Sequence, residues 1–428
     1  MKRLIILGTL IYSLIWMTGC AALEPDFSVP EGEALEIGTV DFDSIEEDIE
    51  RSQEDDLQDD LRNDYEVDDS SQDDSKDDGD EATDKEKAEK DISEYYYNQF
   101  SDEEKSVYMQ IWEALKNHED SIQLKGGAAN RIEEVFWGVL RDHPEIYWAK
   151  SYQGVSYRSE PDRHDITPVY FYSVKECGEI DKIIQKVTEE YLAGVKNKQT
   201  DYDKILYTFE FLVERTEYGG DIAACQNIES VFVNNKSVCG GYAKATKYLL
   251  DLLNIECIYV YGNATSDEGT EEHAWNIVKC EGDYCLVDTT WGDPIMKDGA
   301  KGMENINYDY VLCDDEFLLK SHTPDTLYKY PACTTKKWNY FVVNNMYYEE
   351  FDKGEIVNVM KTDIANRAEA STFKFENKSD YQKMSKILTN SIWVELGGEL
   401  ADEQKLLNGI QYQLNDKSYM CKIYWNYK

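Results

Sequence analysis

Three side chains between Cys239 and Asp288 have the types and the order needed for nucleophilic chemistry. Cys239 opens Cys239-Gly240-Gly241-Tyr242-Ala243, His273 opens His273-Ala274-Trp275-Asn276, and Asp288 lies in Val287-Asp288-Thr289-Thr290-Trp291-Gly292-Asp293-Pro294. A sulfur can attack a carbonyl carbon. An imidazole can carry the proton away from the sulfur and deliver it to the leaving group. A carboxylate fixes the imidazole's tautomer and stabilises its cation. The chemistry implied is acyl transfer from an amide through a Cys239 thioester, with His273 as base and Asp288 as orienter.

The surrounding pattern predicts how the three are positioned. Ala243, Tyr248, Leu249, Leu252 and Leu253 repeat at helical spacing, which puts Cys239 at a helix N-terminus. There the helix dipole and free backbone amides favour thiolate, and the Cys239 N–H is the natural first oxyanion donor. Gly240 and Gly241 read as an open side through which a substrate backbone reaches the sulfur. His273 heads an alternating strand, and a second strand runs from Tyr284 to Asp288. A two-residue loop at Glu281-Gly282 would set Cys280 opposite Asp283 and Trp275 opposite Asp288. Asp288 would then stand diagonally beside His273 on one face, and a one-residue slip would separate them.

Together these motifs resemble the core of the transglutaminase-like superfamily, especially its bacterial surface members. Asp142-His143-Pro144-Glu145-Ile146-Tyr147-Trp148 upstream resembles the flanking segments of that group. So do Tyr308-Asp309-Tyr310-Val311-Leu312, Asp315-Glu316-Phe317 and His322-Thr323-Pro324 downstream. The resemblance covers roughly residues 95–331. It implies an α+β fold with a papain-like core, in which a nucleophile helix packs on an antiparallel sheet bearing the histidine and the aspartate. It implies an acyltransferase joining glutamine carboxamides to amines, or a peptidase or amidase using water, with no cofactor and no metal. Gln226, in a segment like the Gln-Ser loop of the bacterial group, is a candidate second oxyanion donor. Tyr242, Trp275 and Trp291 are candidate groove residues, with packing between helix and sheet as the plainer reading of each. The alternative from another class is a catalytically inactive binding or adhesion module on the same fold.

Composition bounds the partners. The 428 residues carry 44 Lys plus Arg against 86 Asp plus Glu, a formal net charge of -42. Such a surface repels nucleic acid. Lys2 and Arg3 precede a short apolar run, Leu4 to Trp16, that reads as a signal. Met17-Thr18-Gly19-Cys20 then resembles the lipobox of bacterial lipoproteins, which implies lipidation at Cys20 and a mature chain anchored outside the cytoplasm. Residues 41–90 hold 24 acidic and 6 basic side chains, a composition that cannot offset its ordering entropy by burial. As a tether from about Ala21 to Asp91, roughly seventy residues, the acidic segment would span about 45 Å or more. An envelope protein or a peptidoglycan peptide is the substrate that such a location makes accessible.

Other groupings carry less. Lys76 stands where a calcium loop at Asp73 to Asp80 needs an oxygen ligand. A zinc reading of Cys239, His273, Cys280 and Cys285 lacks a Cys-x-x-Cys pair and would consume the nucleophile. His118, His143, His164 and His322 have no acid or thiol at a recognisable spacing, so turn or surface roles are expected of them.

The expected organisation is a signal over 1–20, a disordered acidic tether over 21–93 and a helix-rich α/β region over 94–215. The catalytic core follows over 216–333, then a small C-terminal α/β region over 334–428. Within the preface, Ser101 and Glu104 predict a capping box opening a helix, with a second helix from about Ala129. Strands are expected at Tyr147–Tyr157 and Val169–Val174, and helices at Glu179–Lys196 and Tyr202–Arg215. Beyond the core, Asn339–Tyr348 and Tyr419–Tyr427 read as strands, and Ser379 to Gln382 as another capping box.

Overall fold

The computed structural model describes residues 36–41, 94–125, 131–157, 160–220, 225–266, 269–293, 306–389 and 397–428. Cys20, the expected signal, the acidic run at 42–93 and Pro294 lie outside the described residues. Among the described residues no helix is long and apolar enough to cross a membrane. They form two compact units, one holding residues 94–343 and the other 36–41 with 344–428. The first strand, β1 (Glu36–Asp41), belongs to the second unit.

The larger unit opens with α1 (Asp102–Lys116), whose N-cap Ser101 and Glu104 form the expected capping box. Then come β2 (Ile122–Lys125), α2 (Ile132–Asp142), β3 (Ala149–Tyr157) and β4 (Glu160–Tyr170), the three strands forming a sheet in the order β2-β4-β3. The next helix, α3 (Val174–Val195), starts five residues before the expected position. Ser173 and Glu176 make a second capping box that the apolar spacing did not disclose, and this ends the strand at Tyr170 instead of Val174. After it stand α4 (Asp201–Arg215), β5 (Glu217–Tyr218), α5 (Ile228–Phe232) and β6 (Lys236–Ser237).

The site is carried by α6 (Cys239–Asp251), β7 (Cys257–Ser266), β8 (Gly269–Cys280) and β9 (Asp283–Val287). With β10 (Val311–Cys313), the short helix α7 (Asp315–Leu318) and β11 (His322–Pro324), the strands build a five-stranded antiparallel sheet in the order β10-β9-β8-β7-β11. Helix α6 lies against β7 and β8, pinned by the Asn276 amide, which donates to Ala243 O at 3.0 Å. This is the α+β, papain-like arrangement of helix on sheet. The β8–β9 turn has the expected register, with Cys280 opposite Asp283 and Asn276 opposite Val287. Glu281 takes φ 49° and Gly282 φ 94°, as a two-residue hairpin loop requires.

The preface and the core share one interior. Val107, Ile111, Val135 and Phe136 are buried in the same cluster as Trp275, Ile277, Leu286 and Val311. The larger unit also extends past 333. Trp338 Nε1 donates to Asp283 at 3.0 Å, and Tyr340, in α8 (Tyr340–Val343), stacks on Tyr308 at 3.9 Å. Asn339–Tyr348 is therefore a helix and only a short strand, β12 (Tyr347–Tyr348).

In the smaller unit, α9 (Lys353–Ala365), β13 (Ala370–Phe375), α10 (Lys378–Thr389), α11 (Ala401–Gln404), β14 (Leu407–Asn415) and β15 (Met420–Tyr427) surround a core of Ile356, Met360, Phe373, Ile423 and Trp425. Its sheet runs β1-β14-β15-β13-β12. Asn377, not Ser379, caps α10, since its Oδ1 accepts from Asp380 N at 3.0 Å. β1 falls inside the stretch expected to be a disordered tether. Its Ile37, Thr39 and Val40 favour strand locally, and the backbone pairs antiparallel with β14 from Glu36↔Leu414 to Asp41↔Gly409.

Candidate active site

Helix α6 starts at Cys239 because Val238 is extended, at φ -117° and ψ 177°, and its carbonyl accepts from Gly241 N at 2.9 Å and Tyr242 N at 3.2 Å. No side chain caps this end, so the first amides face whatever lies beside the sulfur. Cys239 is half-buried, whereas the other eight described cysteines are buried. The two glycines differ from expectation. A Cβ at Gly240 would lie 2.0 Å from Gln226 Oε1, and a Cβ at Gly241 2.0 Å from Ser237 Oγ and 3.0 Å from Cys225 O. Both are buried. Their missing side chains make room for the 225–237 segment, not for a substrate, and Gly240 seats the Gln226 amide beside the nucleophile.

His273 projects from β8 and meets Asp288, with Nε2 to Oδ2 at 2.8 Å. Asp288 is fully buried, and its other oxygen accepts the N–H groups of Thr290 at 2.9 Å and Trp291 at 3.0 Å. An ionised carboxylate only accepts. Nε2 of His273 therefore carries hydrogen, and Nδ1 is left for the thiol. The ring is hydrogen-bonded to Asp288, and Cys239 is near enough to favour its charged form. Burial alone would push His273 down. Asp288's charge and hydrogen bond, with the Cys239 contact, override it and hold the ring at about 10. For Asp288 burial raises the pKa, but the two imidazoles it binds outweigh that and hold it well below the usual carboxylate range.

The second imidazole belongs to His322, for which a turn or surface role was expected. It is 1% exposed, and its Nε2 lies 3.0 Å from the same Asp288 Oδ2. β11 delivers it by pairing with β7, His322 opposite Ala264. Gly262 permits that approach, since a Cβ there would meet Thr323 O at 2.2 Å. Burial pushes His322 below the ordinary histidine value although Asp288 acts to raise it. It is then a neutral donor. Its partner lies 34 residues away in the sequence, so no local spacing marked it. The other histidines also have partners, His143 with Glu145 at 2.9 Å and His118 with Cys177 at 3.6 Å.

Of the groove candidates, Trp275 and Tyr242 are fully buried. Trp275 stacks beneath His273 at 6.0 Å and meets His322 edge-on at 5.0 Å. Tyr242 donates to Asp293 at 2.5 Å and Thr216 O at 3.1 Å, tying the Asp288–Asp293 loop to the segment after α4. Both pack, as the plainer reading had it. Trp291 is half-buried, 5.9 Å from His273 and 4.6 Å from His322, and can face an acyl chain.

Among the described residues, His273, Asp288 and His322 are the group whose atoms come close enough to share a metal. Asp288 Oδ2 stands 2.8 Å and 3.0 Å from the two nitrogens. Those are hydrogen-bond separations, whereas ligands about 2.0 Å from one tetrahedral zinc stand about 3.3 Å apart. Cys280 and Cys285, offered with them as zinc ligands by residue type, are not in the group.

A thiol at a helix start and an imidazole on the facing sheet bonded to a buried carboxylate are the arrangement of papain-like thiol folds. The family model of the transglutaminase-like superfamily matches residues 189–289, a span that contains all three residues. The chain carries a transglutaminase-like domain. Kyphoscoliosis peptidase of Homo sapiens is 26% identical over 208 residues, which is 44% of this chain and 29% of that protein. The Mus musculus protein of the same name is 24% identical over 147 residues, 31% of this chain and 22% of that one. The chain thus spans less than a third of the curated relatives it matches. Among solved structures, one described as a TGase covers 43% of this chain and 55% of its own, at 12% identity and a TM-score of 0.25.

Proposed function

We propose that this protein is a thiol-dependent acyltransferase or amide hydrolase acting on protein or peptide amides, held at the outer surface of a membrane through lipid on Cys20. The observation that supports the chemistry is the ring of His273, hydrogen-bonded to the buried Asp288 at 2.8 Å and near enough to Cys239 to be held charged by it. In the first step Sγ of Cys239 bonds to the carbonyl carbon, and the oxyanion meets the Cys239 N–H and the Gln226 amide. The His273 imidazolium gives its proton to the amide nitrogen as the C–N bond breaks, leaving a thioester and a free amine or ammonia. Water or a second amine then attacks the thioester and yields its proton to His273, and the thiolate departs. No step needs a cofactor. Hydrophobic leader, lipobox-like tetrapeptide and acidic run support the surface location, and that location supports envelope proteins or peptidoglycan peptides as substrates.

The test is alkylation of Cys239 by iodoacetamide near neutral pH in the full chain and in His273→Ala. Fast alkylation that depends on His273 is expected. A wild-type thiol reacting like free cysteine would leave only a catalytically idle binding module. Incorporation of a fluorescent primary amine into glutamine-containing proteins identifies a cross-linker, whereas release of ammonia or peptide alone identifies a hydrolase.

A further inference from the structure

Two lysines on α6 are treated oppositely. Lys247 is buried and neutralised, with Nζ 2.9 Å from Asp251 Oδ2 and 2.9 Å from Cys257 O. Lys244 has no carboxylate acting on it among the described residues. Its Nζ bonds to the neutral amide oxygen of Asn227 at 2.7 Å, and the charged group it senses is a second cation, Arg141. In a chain with 86 acidic residues to 44 basic ones, a half-buried ammonium with no acid acting on it among the described residues is conspicuous.

Its position is in the first turns of the helix that Cys239 opens. Lys244 lies four residues after Gly240, so their side-chain directions share one face of the helix. Asn227, which holds the ammonium, directly follows Gln226, which covers Gly240. Arg141 is near enough for its charge to act on Lys244. It pairs with Asp325 at 3.0 Å and lies over the ring of Tyr261 at 5.5 Å. Tyr261 is opposite Ala274, the neighbour of His273. Tyr259 packs on Ala243 and Ala274, and both Tyr259 and Tyr261 feel the charge of Cys239.

We propose that Lys244, with Arg141 behind it, forms an anion subsite beside Cys239 that selects substrates carrying a carboxylate close to the scissile carbonyl. The proposal rests on the acyl-transfer reading above and names its substrate class. Tyr259 and Tyr261 supply an apolar wall, and the incoming carboxylate replaces Asn227 as the partner of the ammonium. Burial first, and Arg141 second, push Lys244 down to about 8, the mark of a cation short of a counter-charge. A carboxylate of the substrate would reverse that shift.

The experiment compares alkylation of Cys239 in the full chain by three reagents at physiological salt, where charges beyond about 8 Å are screened. They are N-iodoacetylglycinamide, which is neutral, N-iodoacetylglycine, which carries a terminal carboxylate, and N-iodoacetylaspartic acid α-amide, which carries a side-chain carboxylate. The readout is the ratio of the charged to the neutral rate. Wild type should prefer at least one charged reagent, and the preferred one names the source of the carboxylate. In Lys244→Gln the ratio should fall about fivefold, the worth of one partly exposed ion pair. Lys244→Arg should keep the ratio. Asn227→Asp, which supplies an internal carboxylate at the same ammonium, should lower it, and this variant serves if Lys244→Gln does not fold. A ratio untouched by Lys244→Gln and by Asn227→Asp alike, with the thiol still fast and His273-dependent, overturns the subsite alone. A thiol no faster than free cysteine in wild type overturns the acyl-transfer reading instead.

Discussion

His322 and His273 address the same atom: Oδ2 of Asp288 lies 3.0 Å from Nε2 of one and 2.8 Å from Nε2 of the other. With Thr290 N and Trp291 N on Oδ1, all the usual acceptor directions of this buried carboxylate are filled. The carboxylate that holds His273 is itself held, from a strand outside the three motifs.

His322→Leu should therefore act on His273 through Asp288. The lost donor costs about 1.5–3 kcal/mol of stability as a hydrogen bond to a charged group. It also concentrates the carboxylate's charge on His273, so the alkaline limb of Cys239 alkylation should move to higher pH. His322→Gln, which retains an N–H donor, should restore the limb in part. A stability loss with an unmoved pH profile would assign His322 a packing role only.

The His273–Asp288 pair should also leave a signature in stability against pH. His273 is held at about 10 in the folded chain, above its unfolded value of about 6.5. Its contribution is complete below about pH 6.5 and is lost as pH rises towards 10. Asp288 is held below its unfolded value of about 3.9, so its contribution is complete above that pH and is lost on acidification. Denaturant unfolding of wild type and His273→Gln should differ most between about pH 4 and 6.5, by about 3 kcal/mol for a broken buried pair. The gap should close towards about pH 10, and a gap constant from about pH 6 to 10 would mean that the pair is not charged in the folded state.

The site was legible where its geometry is local. Period-two alternation around Glu281-Gly282 was enough to set His273 beside Asp288, because a two-residue hairpin leaves no freedom of register. Cys239 at a helix start followed from the apolar spacing of the turns that come after it. His322 was hidden because a β7–β11 pairing, seeded at Gly262, has no sequence period to announce it. The glycines after Cys239 were read for what they leave open, while what fills the space, Gln226 and Ser237, is brought there by a distant segment. In the same way, the average composition of residues 21–93 conceals a short stretch, Glu36–Asp41, that pairs with β14.

Gly240→Ala tests the role of Gln226 without removing it. The new Cβ would fall 2.0 Å from Oε1, at the far end of a flexible side chain, so the amide swings aside at modest cost in stability. Turnover of p-nitrophenyl acetate, which passes through an oxyanion, should fall about 100-fold, as for loss of one such donor. Gln226→Ala should match it. Alkylation by iodoacetamide forms no oxyanion and should change about twofold or less in both. Equal losses in the two assays would mean that Gln226 supports the helix start and not the oxyanion.

Asp142 provides the last prediction, because it ties the upstream Asp142-His143-Pro144 segment into the larger unit. Its carboxylate is 1% exposed and accepts Tyr96 N at 3.0 Å, Tyr97 N at 2.9 Å and Tyr108 OH at 2.9 Å. It thereby closes the Tyr96–Tyr97 segment onto α1 and α2. Tyr96 in turn donates to Tyr259 O on β7, so the clamp is tied to a strand against which α6 lies. Asp142→Ala leaves two backbone N–H groups and a phenol without an acceptor, at about 1–3 kcal/mol for each unsatisfied group. Thermal unfolding of the larger unit should shift down by several degrees. In the fraction that remains folded, Cys239 should keep its His273-dependent reactivity, since none of the three donors touches the thiol, His273 or Asp288. A variant that keeps full stability would show that water replaces the carboxylate, and one that is stable but unreactive would place Asp142 in the site's own geometry.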